Sequence, residues 1–374
     1  MGAGREMKLL FLASASLVFV TYAGYPLGLY VCARLWPRPV ARAAIFPNIS
    51  IVLAARNEEK YLPEKLRNLA ALDYPAGLLE IIVVSDGSTD GTGEILRQWQ
   101  GRGIRAVLLA NHRGKAMALN QGAALARGEL ICFTDARQRI ATDGLRNLAA
   151  NFADPEVGCA SGALVLGDER SGASADGAGL YWRLEKRIRN WEAVSGSTVG
   201  ATGAFYAVRK ENLVPLPPGT ILDDVYIPMH VARQGKRVIF DPAAVAWDGL
   251  RPTPKQEFRR RVRTLTGNYQ LLQLAPWLMT RSNPLRAQFL CHKLLRLLAP
   301  FALLGVLVST LWIRQGIYEL LLGLQFLLYA LAALPLPGAL SRLSSGSRAF
   351  LLLNTAAAVA FVYFITGKKA AWAR

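Results

Sequence analysis

The residues best placed to do chemistry stand where apolar runs stop. Ile81-Ile82-Val83-Val84 is followed by Ser85-Asp86-Gly87-Ser88-Thr89-Asp90-Gly91-Thr92, a turn of carboxylates and small hydroxyls. A carboxylate there can accept hydrogen bonds from a base or a sugar. Gly87 and Gly91 let the backbone come close to a ligand. Asp and Gly also build ordinary turns, so this segment needs support from elsewhere. Two other apolar runs end in the same way, Ile49–Ala55 in Arg56-Asn57-Glu58 and Leu130–Thr134 in Asp135-Ala136-Arg137.

The elements that must hold these residues alternate. Residues 48–55, 81–84, 106–109 and 130–134 read as buried strands. Helical patterns lie between them, from Arg56 to about Leu72, Thr92 to Gln100 and Lys115 to Ala126. Strand–helix alternation predicts an α/β fold with a mainly parallel sheet and right-handed crossovers. In such sheets ligands bind beyond the carboxyl ends of the strands, where all three polar segments sit. After residue 140 the rhythm changes. Strands are expected at 157–166, 200–208 and 238–241, and a helix at 181–194. The stretch Gly167–Gly179, rich in Gly, Ser and Asp, reads as a mobile loop.

The chain carries 44 Lys and Arg against 26 Asp and Glu, a formal net charge of +18. That excess suits acidic lipid, nucleic acid or phosphorylated ligands. No nucleic-acid recognition motif accompanies it, so nucleic acid is not an expected partner. The apolar runs favour a bilayer. Leu9–Cys32 is almost free of charge and, at about 1.5 Å per residue, long enough to cross a core of ~30 Å, with a kink expected near Gly24 and Pro26. Residues 294–313, 317–336 and 349–366 read as three further spans, and Asn283–Leu297, with Arg286, His292, Lys293 and Arg296, as a helix in the headgroup layer or a basic flank to the next span. Arg34, Arg38, Arg42, Arg342 and Arg348 place the soluble block in the cytoplasm, although Lys368, Lys369 and Arg374 argue for the other side. The expected organisation is a membrane helix and linker over 1–45, a cytoplasmic domain over 46–270, and an interfacial helix with about three spans over 271–374. A multi-pass protein of the inner (plasma) membrane follows. Four scattered cysteines, with no C-x-x-C pair, suggest neither a zinc site nor a disulfide framework. The three histidines show no metal-ligand spacing and read as structural or surface residues.

Residues from about 48 to 270 resemble a membrane-bound family-2 inverting glycosyltransferase with the GT-A fold, in the branch of the cellulose, hyaluronan and poly-N-acetylglucosamine synthases. The likeness rests on Ala55-Arg56-Asn57-Glu58, Asp86-Gly87-Ser88, Gly114-Lys115-Ala116-Met117-Ala118-Leu119-Asn120, Thr134-Asp135-Ala136, Gly200-Ala201-Thr202-Gly203-Ala204 and Leu222-Asp223-Asp224, in that order. It implies transfer of a sugar from a nucleotide diphosphate sugar, commonly a UDP-sugar, to a hydroxyl of a glycan or polyprenyl-linked acceptor. Donor binding would fall to Ala55, Arg56, Asn57, Glu58, Asp86, Lys115, Asp135, Arg137, Arg260 and Arg263. Asp86 would meet the base. Lys115, at a helix start, would reach the phosphates. Asp224 would be the catalytic base and Asp223 its support. Thr202, Gly203, Ala204 and Thr264 would line the acceptor site.

Two departures from the family pattern bear on this resemblance. The metal motif is normally acid-x-acid, and here residue 137 is arginine. Asp135 then holds Mg²⁺ or Mn²⁺ with the diphosphate and water, or Arg137 itself neutralises the leaving group. In the basic run from Arg251 to Arg263, the Gln-x-x-Arg-Trp of the polymer synthases corresponds to Arg260, Arg263 and Thr264. The arginine is kept and the stacking tryptophan is lost, which weakens the reading as a processive polymerase. Single addition onto a polyprenyl phosphate, or a weakly catalytic sugar-nucleotide-binding scaffold, are the alternatives, and a partner membrane subunit would fit the small number of spans. Tyr181, Trp182 and Trp191 read as core more readily than as sugar platforms.

Overall fold

The computed structural model describes residues 2–167, 180–249, 253–334, 336–337 and 340–367. The loop expected at Gly167–Gly179 falls outside the described residues beyond Gly167, as do Arg251 and the side chains of Tyr181 and Trp182.

Two helical segments open the chain, α1 (Gly2–Phe19) and α2 (Tyr25–Leu35), joined by a π turn at Val20–Gly24. The widened turn lies directly before Pro26, whose ring cannot complete a regular helical hydrogen bond. The α/β block follows as β1 (Ile49–Ala55), α3 (Leu62–Ala70), β2 (Leu79–Asp86), α4 (Thr92–Trp99), β3 (Ile104–Leu109), α5 (Lys115–Leu125), β4 (Leu130–Thr134), β5 (Arg139–Ile140), α6 (Gly144–Ala149), β6 (Val157–Leu166), α7 (Leu180–Ser195), β7 (Phe205–Arg209), α8 (Asp223–Arg233), β8 (Arg237–Asp248) and α9 (Pro254–Leu274). The chain closes with α10 (Arg286–Phe289), α11 (Leu295–Ile313), α12 (Ile317–Ala333) and α13 (Leu340–Ile365).

The strands form one eight-stranded sheet in the order β3-β2-β1-β4-β7-β6-β8-β5. β3, β2, β1 and β4 are parallel neighbours, and β6 pairs in parallel with β8. β7 runs antiparallel to β4 and β6, and β5 to β8. This is the mainly parallel α/β architecture that the alternating pattern predicts. The strand order reverses between β1 and β4, and such a reversal opens a crevice at the carboxyl edge. The loops after β1 and β4 carry Arg56-Asn57-Glu58 and Asp135 to that crevice.

Side-chain alternation divides the core between the two faces of the sheet. Ile51, Leu53, Ile81, Val83 and Cys132 pack on one face, against Leu62, Leu66 and Leu69 of α3. Val52, Ile82, Val84, Ile131 and Phe133 pack on the other, in a cluster that continues through Tyr269 of α9 to Phe289, Leu297, Ala356 and Ala360 of the C-terminal helices. The ring of Tyr269 stacks on Phe364 with centroids 5.1 Å apart. Gly4–Leu35, Arg286–Ile313 and Leu340–Ile365 are long and apolar enough to cross a membrane, and Ile317–Ala333 is apolar but shorter.

Several boundaries differ from those expected. The helix placed at Arg56 starts at Leu62, because the intervening backbone is tied to the next loop: Glu58 N donates to Thr92 Oγ1 (2.8 Å) and Glu59 N to Asp90 Oδ2 (3.2 Å). The strand expected at 200–208 is confined to Phe205–Arg209, since Ala201 N donates to Asp224 O (2.7 Å) and Gly203 N to Asp224 Oδ2 (3.2 Å) rather than to a neighbouring strand. The strand at 238–241 lengthens to Arg237–Asp248. Of the two readings of residues 283–297, the flank to the next span holds and the separate interfacial helix does not. From Arg286 these residues run into α11 through a π turn at Leu290–Leu294. The polar side chains of this stretch turn to protein: His292 Nδ1 lies 2.7 Å from Glu192 Oε1, His292 Nε2 3.0 Å from Glu185 Oε1, and Arg296 Nη1 2.8 Å from Glu185 Oε2. Trp191 packs edge-on against Tyr30 of α2, 5.5 Å between centroids, which makes it a joint between helices.

Candidate active site

Lys115 sits at the centre of the carboxyl edge. Its Nζ lies 3.0 Å from Asp135 Oδ1 at the end of β4 and 3.2 Å from Asp223 Oδ1 at the start of α8. Burial works against the charge of Lys115, but Asp135 and Asp223 outweigh it and hold the ammonium above its usual pKa. Asp223 is itself buried, and its second oxygen accepts from Tyr206 Oη on β7 (3.1 Å). Asp224, the next residue, accepts from Gly203 N. Burial, then the charge of Asp223, raise the Asp224 pKa from 3.8 to about 6, with Lys115 partly opposing them. A carboxyl group tuned to that range is ionised near neutrality and can accept a proton from a hydroxyl.

Gly203 is small for a geometric reason. A Cβ there would lie 3.1 Å from Asp224 Oδ2, tighter than ordinary van der Waals contact. The Thr202-Gly203-Ala204 segment therefore abuts the Asp224 carboxylate. Thr202 is held from two sides: its N donates to Ser161 Oγ and its Oγ1 accepts from Arg189 Nη1, both at 2.8 Å.

Asp86 is 2% exposed at the end of β2. Its oxygens accept from Arg113 N (2.7 Å) and Gly114 N (2.9 Å), and Oδ2 lies 2.7 Å from His112 Nδ1. These contacts hold the loop that leads into α5 and so place Lys115. A carboxylate offers about four acceptor positions, so three are already engaged and little capacity is left for a base. Gly87 supports the same loop. Its φ is +59°, and a Cβ would meet His112 N at 2.4 Å. Gly87→Ala is expected to cost about 1–3 kcal/mol in strain and to weaken nucleotide binding by displacing residues 112–115. A thermal melt and a nucleoside diphosphate titration would check both effects, and unchanged values in both would show that the loop is not so constrained.

At the end of β1, Ala55 pairs with Ser85, and Asn57 adopts the left-handed region (φ 54°). Asn57 Oδ1 accepts from Thr89 N (2.9 Å), clasping the turn after β2. Arg56 is exposed. The Glu58 pKa is raised, first by burial, with Arg137 opposing the shift and Asp135 adding to it. Arg137 thus lies within electrostatic reach of Glu58. Arg260 is half-buried and Arg263 exposed on α9, and no ion pair joins either to the acidic cluster among the described residues. Thr264 faces a cavity shared with the apolar helices.

Sequence reading missed Lys65. It is 2% exposed, and its Nζ donates to Thr134 Oγ1 (2.8 Å) and Gln138 O (2.7 Å), beneath Asp135. Burial lowers its pKa to about 7, against the pull of Asp135. The signal was present, since Lys65 shares the helical phase of Leu62, Leu66 and Leu69. Also missed was the buried network of Glu185, Glu192 and His292, which helix periodicity does not reveal.

A divalent cation finds one suitable ligand here. The Asp135 side chain is 39% exposed at the mouth of the crevice, and cations such as Mg²⁺ commonly pair one or two carboxylates with phosphate and water. Among the described residues no group of three or more His, Cys, Asp or Glu could hold a metal. The residues thus fit a shared site, completed by a diphosphate, and not a protein-only cage.

Residues 50–213 match the sequence model of glycosyl transferase family 2. The chain is 28% identical over 235 residues to a protein of Bacillus subtilis named probable glycosyltransferase YdaM, covering 59% of this chain and 55% of the relative. It is 27% identical over 229 residues to the poly-beta-1,6-N-acetyl-D-glucosamine synthase of Staphylococcus aureus, covering 60% and 55%. The chain thus spans about half the length of the curated relatives it matches. Among solved structures it resembles the mannosyltransferase PcManGT from Pyrobaculum calidifontis, determined in complex with GDP-Man and Mn²⁺, with a TM-score of 0.74 and 23% identity over 96% of this chain and 99% of that one. At that identity the likeness shows the GT-A fold, and its extent takes in the apolar helices as well as the sheet.

Proposed function

The chain carries a glycosyl transferase family 2 domain, and from that premise we propose an inverting sugar transfer from a nucleotide diphosphate sugar to an acceptor hydroxyl at the cytoplasmic face of the plasma membrane, in the synthesis of a cell-surface glycan. The observation that carries this reading is the meeting of Lys115, Asp135, Asp223 and Asp224 at one point of the carboxyl edge.

The donor lies across the ends of β1, β2 and β4, with Ala55, Arg56, Asn57 and Glu58 on one side of the nucleoside and the Asp86-organised loop on the other. Lys115 faces the phosphates, and Arg137 adds a second cation as the nucleotide leaves. A Mg²⁺ or Mn²⁺ ion would be held by Asp135 with the donor's phosphates and would neutralise charge on the leaving group. Asp224 takes the proton of the acceptor hydroxyl as that oxygen attacks the anomeric carbon, and Asp223 keeps its neighbour's pKa raised. A single displacement with one base inverts the anomeric centre. Thr202, Gly203 and Ala204 bring backbone beside the acceptor. Arg260 and Arg263 are assigned to the diphosphate from the family resemblance alone. Thr264 stands at the cavity where the resemblance sets a stacking tryptophan, which favours single addition over polymer growth.

The test is release of nucleoside diphosphate from a panel of UDP- and GDP-sugars by the full chain in membranes, with and without chelator. One donor is expected to be turned over, with activity falling in excess EDTA and returning with Mg²⁺ or Mn²⁺. Failure with every donor would reject the transferase reading, and full activity in EDTA would remove the metal from it. Product length, read by gel, separates a single addition from a polymer.

A further inference from the structure

Beside the acidic cluster lies a second feature, which neither the donor site nor the proton transfer occupies. A cavity of about 910 Å³ opens between the catalytic block and the apolar helices. Its walls come from α7 and α9 on one side. On the other they come from the π turn at 20–24 and its flank, the second π turn at 290–294 and the start of α13. The volume is within the range of small-ligand sites, ~300–1,000 Å³.

The lining is strongly one-signed. Arg183, Arg189, Arg261, Lys293, Arg296 and Arg342 contribute to it, against the single carboxylate of Glu185. Glu185 is already committed, to Arg296 at 2.8 Å, His292 at 3.0 Å and Arg189 at 3.6 Å. Arg261 is paired with Glu257 at 2.7 Å. Among the described residues no carboxylate lies within 4.0 Å of Arg183, Lys293 or Arg342. Cations gathered at a low-dielectric boundary repel one another and lose hydration, a cost that an anionic ligand removes. Guanidinium forks match phosphate oxygens in particular. Apolar groups stand beside these cations in the wall, among them Pro26 of α2, Ile188 of α7, and Phe350 and Leu353 of α13. Phosphate chemistry and hydrocarbon contact are thus offered side by side, at the level where membrane helices meet the sheet.

The cavity also adjoins the proposed base. Arg189 lines it and donates to Thr202 Oγ1 at 2.8 Å, one residue from the Gly203 that touches Asp224. Lys293 and Arg189 both act electrostatically on Asp224. A phosphate resting among these cations would thus lie on the side of the cavity that leads, through Arg189 and Thr202, to Asp224.

We propose that this cavity binds the phosphate-bearing headgroup of a membrane lipid that presents the acceptor, with the lipid chain lying along Pro26, Phe350 and Leu353. The proposal rests on the transferase reading for the word acceptor, but binding itself is measurable without any donor. The lipid is defined by its chemistry: a phosphate ester on a long isoprenoid or acyl chain.

The test uses the full chain in nanodiscs of phosphatidylcholine and measures capture of a photoreactive isoprenoid phosphate. Competitors are the unlabelled isoprenoid phosphate, the uncharged isoprenol of the same length, a diacyl phosphatidate and inorganic phosphate. Competition by a lipid phosphate, with the isoprenol and inorganic phosphate much weaker, supports the proposal, and whichever lipid competes better identifies the chain type. Equal competition by the isoprenol, or by inorganic phosphate alone, overturns it. Arg183→Gln combined with Arg342→Gln is expected to weaken capture by about tenfold or more, while nucleoside diphosphate affinity and the melting temperature stay at their original values. Arg314→Gln, outside the cavity, is expected to change neither. Unaltered capture in the double variant also overturns the site. Loss of donor turnover in the unmodified protein, with lipid capture intact, would instead count against the transferase reading alone.

Discussion

Replacing Asp224 with asparagine is expected to lower sugar transfer by about 10²–10⁴-fold, the usual contribution of a positioned general base, while leaving nucleoside diphosphate affinity nearly unchanged. The amide keeps the shape and the contact to Gly203 N through its oxygen, but cannot take a proton. The pH dependence follows from the same group. Asp224 must be ionised to act, and burial together with Asp223 raises its pKa to about 6. The rate should therefore fall as pH drops through about 6 and level off above it. Asp223→Asn removes one of the two upward influences, so the acid limb should move to lower pH in that variant. A pH–rate profile of the unmodified protein and both variants checks the assignment. Normal turnover in Asp224→Asn would sink it.

Lys115→Met is expected to have the second-largest effect, for a different reason. One ammonium bridges Asp135 and Asp223 and offsets the charge on Asp224. Without it, three carboxylates face an incoming diphosphate with no lysine between them. Donor affinity should drop by about tenfold to a hundredfold, the cost of losing hydrogen bonds to a charged group. The Asp224 acid limb should also move upward, since Lys115 lowers the pKa of that carboxyl. Titration calorimetry with nucleoside diphosphate, beside a pH–rate profile, reads both. A variant with unchanged donor affinity and an unmoved limb would show that Lys115 is only a surface charge.

Much of this arrangement is legible in the amino-acid order, and the reason is local. β1, β2 and β4 are short runs buried on both faces, so Ile49–Ala55, Ile81–Val84 and Leu130–Thr134 announce themselves without knowledge of their neighbours. The polar residues just beyond them then mark the edge where a ligand binds. Contacts made across long separations were not legible. Residues 200–204 look like the start of a strand, but their backbone is claimed by Asp224. The basic residues at 286–296 look like a headgroup-binding face, and instead His292 and Arg296 pair with glutamates about a hundred positions away. Lys65 hides in an apolar helical phase because its partners, Thr134 and Gln138, come from another strand and loop. Asp86 illustrates the limit of a motif. The pattern locates the residue, but only the fold shows that its oxygens serve its own loop.

Among the described residues, the core runs without a break from Val52 and Phe133 through Tyr269 to Ala356 and Phe364, and so ties the sheet to the apolar helices. If the apolar helices cross a bilayer as proposed, its thickness becomes a mechanical variable of the site. A thinner or thicker hydrocarbon slab would then tilt α13, and the packing of α13 on α9 and the sheet would carry that strain toward the floor beneath the acidic cluster. Turnover measured in nanodiscs of different acyl length is then expected to vary with thickness, without any molecule occupying a regulatory site.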